Sequence, residues 1–145
     1  MRPRSTAARF RDTPDLQWRG IGHDFAVGQT VLIVDDHPMF RRLARRLLEE
    51  EGFEVVGEAA NGASALEAVR VLAPEIVLLD VMLPDISGLE VAARLASTRQ
   101  QRTLVLTSSR SRADFGGALE EAASDGFVAK ADLTATTFRA VLRRL

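Results

Sequence analysis

The 145-residue chain has no cysteine, which excludes disulfide bridges and thiolate-held metals. It has no long apolar run: stretches such as Ile76-Val77-Leu78-Leu79 are far too short to span a bilayer. Residues 1–30 lack the apolar core segment of a signal peptide, so the expected location is the cytoplasm. Charge of one sign is also lacking. A formal net charge of −1 removes any global pull toward nucleic acid or anionic membrane. Lysine is scarcest of the charged types. Of 19 Lys and Arg residues all but Lys130 are Arg, a bias that a GC-rich genome explains. That bias does not explain why one lysine stands where it does. No internal repeat or low-complexity tract interrupts the chain.

What is present is the balance of an ordinary globular protein, with 46% apolar and 27% charged residues. The length fits one domain with a core of its own. Residues 1–29 differ from the rest, holding five Arg, two Pro and three Gly without apolar periodicity. They are expected to be a disordered N-terminal extension, or upstream sequence from a misassigned start. Setting them aside leaves 14 basic and 17 acidic residues in 30–145, the expected folded domain.

From Thr30 onward, short β-branched runs alternate with helical patterns. Thr30–Asp35 is a continuous apolar run ending in acid, the pattern of a strand buried on both faces. Pro38 suits the first turn of a helix carrying Phe40, Leu43, Leu47 and Leu48, and Gly52 ends it. Further strands are predicted at 53–58, 75–80, 102–107 and 126–129. Helices are predicted from about 62 to 72, at 87–97, at 112–123 and at 133–145, the last capped by Asp132. The helix over 112–123 is expected to be weak, because Gly116 and Gly117 each cost about 1 kcal/mol relative to Ala. The acidic run Glu49-Glu50-Glu51 reads as a solvated helix end partly offset by Arg45 and Arg46. Five strands alternating with five helices predict an α/β fold, a parallel sheet with helices on both faces.

Several polar residues fall at the ends of these strands. Asp35 and Asp36 end the first, Asp80 the third, Thr107 the fourth and Lys130 the fifth. In an open parallel sheet the carboxyl ends share one edge, where ligands bind at the topological switch point. Three carboxylates brought together there repel one another unless a cation neutralises them, and all-oxygen ligation suits Mg²⁺. A carboxylate beside a hard metal, a lysine and a hydroxyl is what aspartyl-phosphate chemistry requires. Each residue alone has an ordinary reading, as a helix cap, a loop acid, a strand threonine or a solvated lysine. Four strand ends carrying this set together do not. His37 reads as a partly exposed loop residue beside the pocket.

Asp35-Asp36, Asp80-Val81-Met82-Leu83-Pro84-Asp85-Ile86-Ser87-Gly88, Thr107 and Phe127-Val128-Ala129-Lys130 together resemble the marker set of the response-regulator receiver family of two-component systems. The resemblance covers residues 30–145. With Asp35-Asp36-His37-Pro38 and Phe40-Arg41, the chain resembles receivers of the LuxR/NarL-type branch, which usually carries a C-terminal helix-turn-helix. It implies the flavodoxin-like receiver fold, five strands in the order 2-1-3-4-5. By the same resemblance Asp80 is the phosphoacceptor, Asp36 binds Mg²⁺ directly and Asp35 through water. The Met82 main-chain carbonyl is a further metal ligand, Thr107 donates to a phosphoryl oxygen, and Lys130 pairs with another. Phe127 matches the aromatic switch residue, and Pro84 and Gly88 match the turn after Asp80. One position departs from the pattern. Ala131 stands where the family commonly has proline, so a reshaped loop after Lys130 is expected.

The implied function is a phosphorylation-activated signalling switch, not an enzyme with an external substrate. It would assist its own Mg-dependent phosphorylation and dephosphorylation. Its implied partners are a sensor histidine kinase or phosphotransfer protein and a downstream protein or second copy. No membrane and no direct nucleic-acid contact by this chain are expected, because no recognition helix or basic stripe follows the last helix. The receiver part of a DNA-binding transcription factor is the alternative. An aspartyl-nucleophile phosphatase is a more distant one, since no additional acid–base group for turnover can be assigned.

Overall fold

Thr30–Val34 forms the first strand, β1, and the residues after Thr30 are completely buried. Its side chains alternate between two cores, which is why the run is apolar at every position. Leu32 and Val34 face one side, with Val77, Leu79, Leu104 and Leu106. Val31 and Ile33 face the other, with Ile76, Leu78, Val105 and Val128. The structure, a computed structural model, describes residues 29–98 and 100–144. Apart from Gln29, the expected N-terminal extension lies outside the described residues.

The remaining elements follow in strict alternation: α1 (Pro38–Glu50), β2 (Glu54–Ala59), α2 (Gly62–Leu72), β3 (Ile76–Asp80), α3 (Gly88–Ala96), β4 (Thr103–Ser108), α4 (Ala118–Glu121), β5 (Gly126–Ala129) and α5 (Ala135–Arg143). All neighbouring strands are parallel, in the order β2-β1-β3-β4-β5. The implied order and fold class hold. Helices α2, α3 and α4 cover the face of Leu32, through Ala65, Val69, Val91, Ala92, Leu95 and Leu119. Helices α1 and α5 cover the other, through Ala44, Leu48, Phe138 and Val141. On that second face Phe53 and Phe138 meet edge to face at 5.4 Å, and the Arg139 guanidinium lies over Phe53. No described helix is long and apolar enough to cross a membrane.

Three local expectations need correction. The helix expected over 112–123 is a single 3₁₀ turn, Arg112–Phe115, followed by the one-turn α4. Gly116 breaks it, with φ 57° and ψ −128°, a conformation that side chains with a Cβ avoid. The last helix is capped by Thr134, whose hydroxyl accepts from the Thr137 N–H, and not by Asp132. Leu133 holds the chain extended as it enters the core, so the helix begins only after it. In α1 the inward position belongs to Ala44, with no exposure, while Leu43 is 50% exposed. The buried stripe therefore runs Phe40, Ala44, Leu47 and Leu48.

The acidic end of α1 is more than a solvated face. Arg45 binds Glu49 and also Glu58 of β2. Arg139 of α5 reaches Glu51, through its Oε1 at 2.8 Å and its main-chain oxygen at 2.7 Å.

Candidate functional site

Strand register assembles the site. Val34 pairs with Leu79, so Asp35 emerges from β1 beside Asp80 at the end of β3. Asp80 pairs with Thr107 of β4, and Ser108 pairs with Ala129, which places Lys130 just past the end of β5. The site thus lies at the carboxyl edge, where the chain turns from β2 on one side of β1 to β3 on the other. The four strand ends singled out in the sequence converge.

Asp80 is 1% exposed, and Asp35 and Thr107 are fully buried. Asp80 Oδ1 accepts from the Met82 N–H at 3.0 Å. The Lys130 ammonium lies 2.7 Å from Asp35 Oδ2, off hydrogen-bonding alignment, and 3.4 Å from Asp80 Oδ2. Burial pushes the Asp80 carboxyl up to about 6. The Met82 N–H and Lys130 oppose that rise, and the neighbouring Asp35 charge adds to it. Asp36 Oδ1 and Thr107 Oγ1 are buried and make no hydrogen bond among the described residues. Such orphaned groups cost about 1–3 kcal/mol each unless a ligand satisfies them.

Asp35, Asp36, His37 and Asp80 each offer one donor atom, all within 4.8 Å of one another. The carboxylates fit a small hard cation: two are buried and one has an unsatisfied inward oxygen. Phe127 is half-buried in β5, in register with Leu106 and edge to face with Phe115 at 6.1 Å. The Arg112 guanidinium covers its ring at 5.5 Å. Met82 is 48% exposed at the pocket's rim. After Lys130 the chain makes a 3₁₀ turn, Lys130–Asp132, closed by the Leu133 N–H on the Lys130 carbonyl.

Three residues quoted in the sequence motifs contribute in ways that the sequence reading did not assign. Phe40, counted there as core, places its ring 4.6 Å from the Lys130 ammonium, a cation–π contact that helps hold the lysine over the carboxylates. Arg41 donates to the Asp35 main-chain oxygen at 2.6 Å and to Glu58, tying α1 to the end of β1. In the sequence Arg41 stands out only as part of the Phe40-Arg41 resemblance, which carries no role for it at the site. Asp85 accepts from the N–H groups of Gly62 and Ala63 at 2.7 and 2.9 Å, capping α2 from the loop after β3. Those two donors hold its carboxyl down at about 2. Its stabilising effect is therefore present above the ordinary carboxylate range and lost only as pH falls through about 2. Asp85→Ala is expected to speed amide exchange at Gly62 and Ala63 and to loosen residues 81–87. Unchanged protection at both amides would disprove the capping role.

A doubly wound parallel sheet with three acids, a lysine and a buried hydroxyl at its switch point defines the class of receiver domains. The sequence model of the response regulator receiver domain matches residues 31–140, and the chain belongs to that family. A Pseudomonas aeruginosa protein named as a transcriptional regulator is 44% identical over 100 residues, 69% of this chain and 48% of its own length. The DNA-binding transcriptional activator EvgA of Escherichia coli is 31% identical over 99 residues, 68% of this chain and 48% of that protein. Among solved structures, the signal receiver domain of NarL from Mycobacterium tuberculosis superposes with a TM-score of 0.68. It shares 36% identity, covering 81% of this chain and 96% of that one. The chain thus spans about half the length of these curated relatives.

Proposed function

We propose that the chain is a phosphorylation-activated switch in which Asp80 accepts a phosphoryl group from a sensor histidine kinase or phosphotransfer protein. The observation that carries this reading is the Thr107 hydroxyl. It is fully buried and has no hydrogen-bond partner among the described residues, and its residue is in register with Asp80. A phosphoryl oxygen on Asp80 supplies the partner it lacks.

The Met82 N–H holds Asp80 Oδ1, which leaves Oδ2, facing Lys130, as the attacking oxygen. A bond forms from Oδ2 to phosphorus as the bond from phosphorus to the donor's leaving atom breaks. Lys130 moves onto one phosphoryl oxygen and Thr107 onto another. Asp36 directly, Asp35 through water, Asp80 and the Met82 main-chain carbonyl would hold Mg²⁺. When bound, Mg²⁺ offsets the negative charge shared by the acids and the group in transfer. The same residues serve hydrolysis of the acyl phosphate, and no external substrate is turned over. The domain is 30–145, acts in the cytoplasm, and signals through Thr107 to Phe127 and from there to a protein partner or a second copy. The relatives' names favour a second reading of the output, the receiver part of a DNA-binding transcriptional regulator.

Incubation with a small acyl-phosphate donor and Mg²⁺ is expected to add one phosphoryl group. Peptide mapping after borohydride reduction should locate it at Asp80, and EDTA should prevent it. A phosphoryl group mapped to another residue would overturn the assignment. Thr107→Ala should still be phosphorylated but should lose most of the phosphorylation-dependent NMR shift of the Phe127 ring. A full shift in that variant would break the proposed coupling.

A further inference from the structure

His37 stands in the acidic pocket without a role in the switch described above. It is the N-cap residue of α1, yet its side chain makes no capping hydrogen bond. The ring is instead turned back toward the acids. Its Nδ1 lies 3.1 Å from Asp35 Oδ1 and 3.1 Å from Asp36 Oδ1. The His37 N–H also donates to Asp35 Oδ1 at 2.8 Å, which fixes the backbone from which the ring projects. The side chain is 66% exposed, so no packing against the core explains this orientation.

The two separations have a chemical meaning. Neighbouring donor atoms around a six-coordinate ion with bonds of 2.0–2.2 Å lie about 3 Å apart. An imidazole nitrogen at that spacing from Asp36 Oδ1 is placed as an adjacent ligand of the ion that Asp36 holds. A site of carboxylates, carbonyl and water alone suits Mg²⁺, whereas an added imidazole shifts preference toward first-row transition metals. We infer that His37 supplies a nitrogen ligand to the divalent cation held by Asp36 and Asp80, so that the pocket takes a first-row transition metal more tightly than Mg²⁺. This rests on reading the acids as the cation site. A hydrogen bond between the ring and Asp35 Oδ1 is the competing account of the ring's orientation, and it predicts no nitrogen at the metal.

The test uses Mn²⁺ on the full chain, with binding followed by loss of the free-ion EPR signal and nitrogen contact by pulsed EPR. The wild type should show nitrogen modulation at bound Mn²⁺, lost in His37→Ala and retained in His23→Gln, which alters the chain's other histidine. The Mn²⁺ Kd should rise about tenfold or more in His37→Ala, while the Mg²⁺ Kd, measured by competition, changes less than twofold. An unchanged urea midpoint for His37→Ala, expected for so exposed a side chain, shows that folding is not the cause. Bound Mn²⁺ with no nitrogen modulation, or an unchanged Mn²⁺ Kd in His37→Ala, would overturn the role of His37 and leave the oxygen site standing. Equal Mn²⁺ affinity in Asp36→Asn and wild type would instead remove the cation site, and His37's role with it.

Discussion

Replacing Asp80 by Asn is expected to abolish phosphoryl acceptance and, in the metal-free protein at pH 7, to raise thermal stability. The first effect follows from losing the attacking carboxylate, since an amide oxygen does not form the acyl phosphate. The second follows from burial. Asp80 is 1% exposed, and its carboxyl is pushed up to about 6, mainly by desolvation. The folded state thus binds this proton more tightly than the unfolded chain does. Stability from the group is present below the ordinary carboxylate value and is lost as pH rises through about 6. At pH 7 the buried charge costs on the order of 2–3 kcal/mol. Asn has the same shape, still accepts from the Met82 N–H and carries no charge. In EDTA its melting temperature should exceed that of the wild type by roughly 5–10 °C at pH 7 and match it near pH 4. Equal melting temperatures at pH 7 would show that Asp80 is not strained by burial, and undiminished phosphorylation would show that it is not the acceptor.

Gly88→Ala is expected to damage the fold and the site together. A Cβ at Gly88 would lie 2.1 Å from the Asp80 main-chain oxygen and 2.8 Å from the Val81 Cα. Both obstacles are backbone, so neither can rotate aside. The Gly88 N–H also donates to the Val81 carbonyl at 2.8 Å, which clamps the start of α3 against the end of β3. Relief of the clash must move Asp80 or detach α3. The cost should be roughly 2–3 kcal/mol in urea unfolding, with slower phosphorylation of the folded fraction. Gly117→Ala is the contrast. A Cβ there meets nothing within 4 Å, and φ is −89°. That change should be neutral or stabilise by up to about 1 kcal/mol. A Gly88→Ala protein as stable and as reactive as the wild type would refute the close approach.

The strand-end residues were legible in the sequence because burial on both faces forces continuous apolar runs. Any acid, hydroxyl or lysine then stands out where such a run stops. Asp35, Asp80, Thr107 and Lys130 all carried that signal. Helix faces were less legible. Leu43 and Ala44 both fit a helical stripe, and only the direction in which α1 meets the sheet selects Ala44. The break at Gly116 was foreseeable as weakness, but not as a loss of most of the helix. The outcome depended on how much core α4 could offer, and Leu119 is its one buried residue.

By itself, the sequence determined the alternation of strands and helices, the two-faced burial of the sheet and the identity of the acids, hydroxyl and lysine at its edge. These follow from periodicity and side-chain chemistry, which are local. Tertiary structure alone decided that Lys130 rests closer to Asp35 than to Asp80, with Phe40 beside its ammonium. It also decided that Asp85 caps α2, that Gly88 admits no side chain, and that the His37 ring turns toward the acids. Each of these depends on distances between residues far apart in the chain or on a rotamer chosen by its surroundings, and no pattern along the chain encodes either.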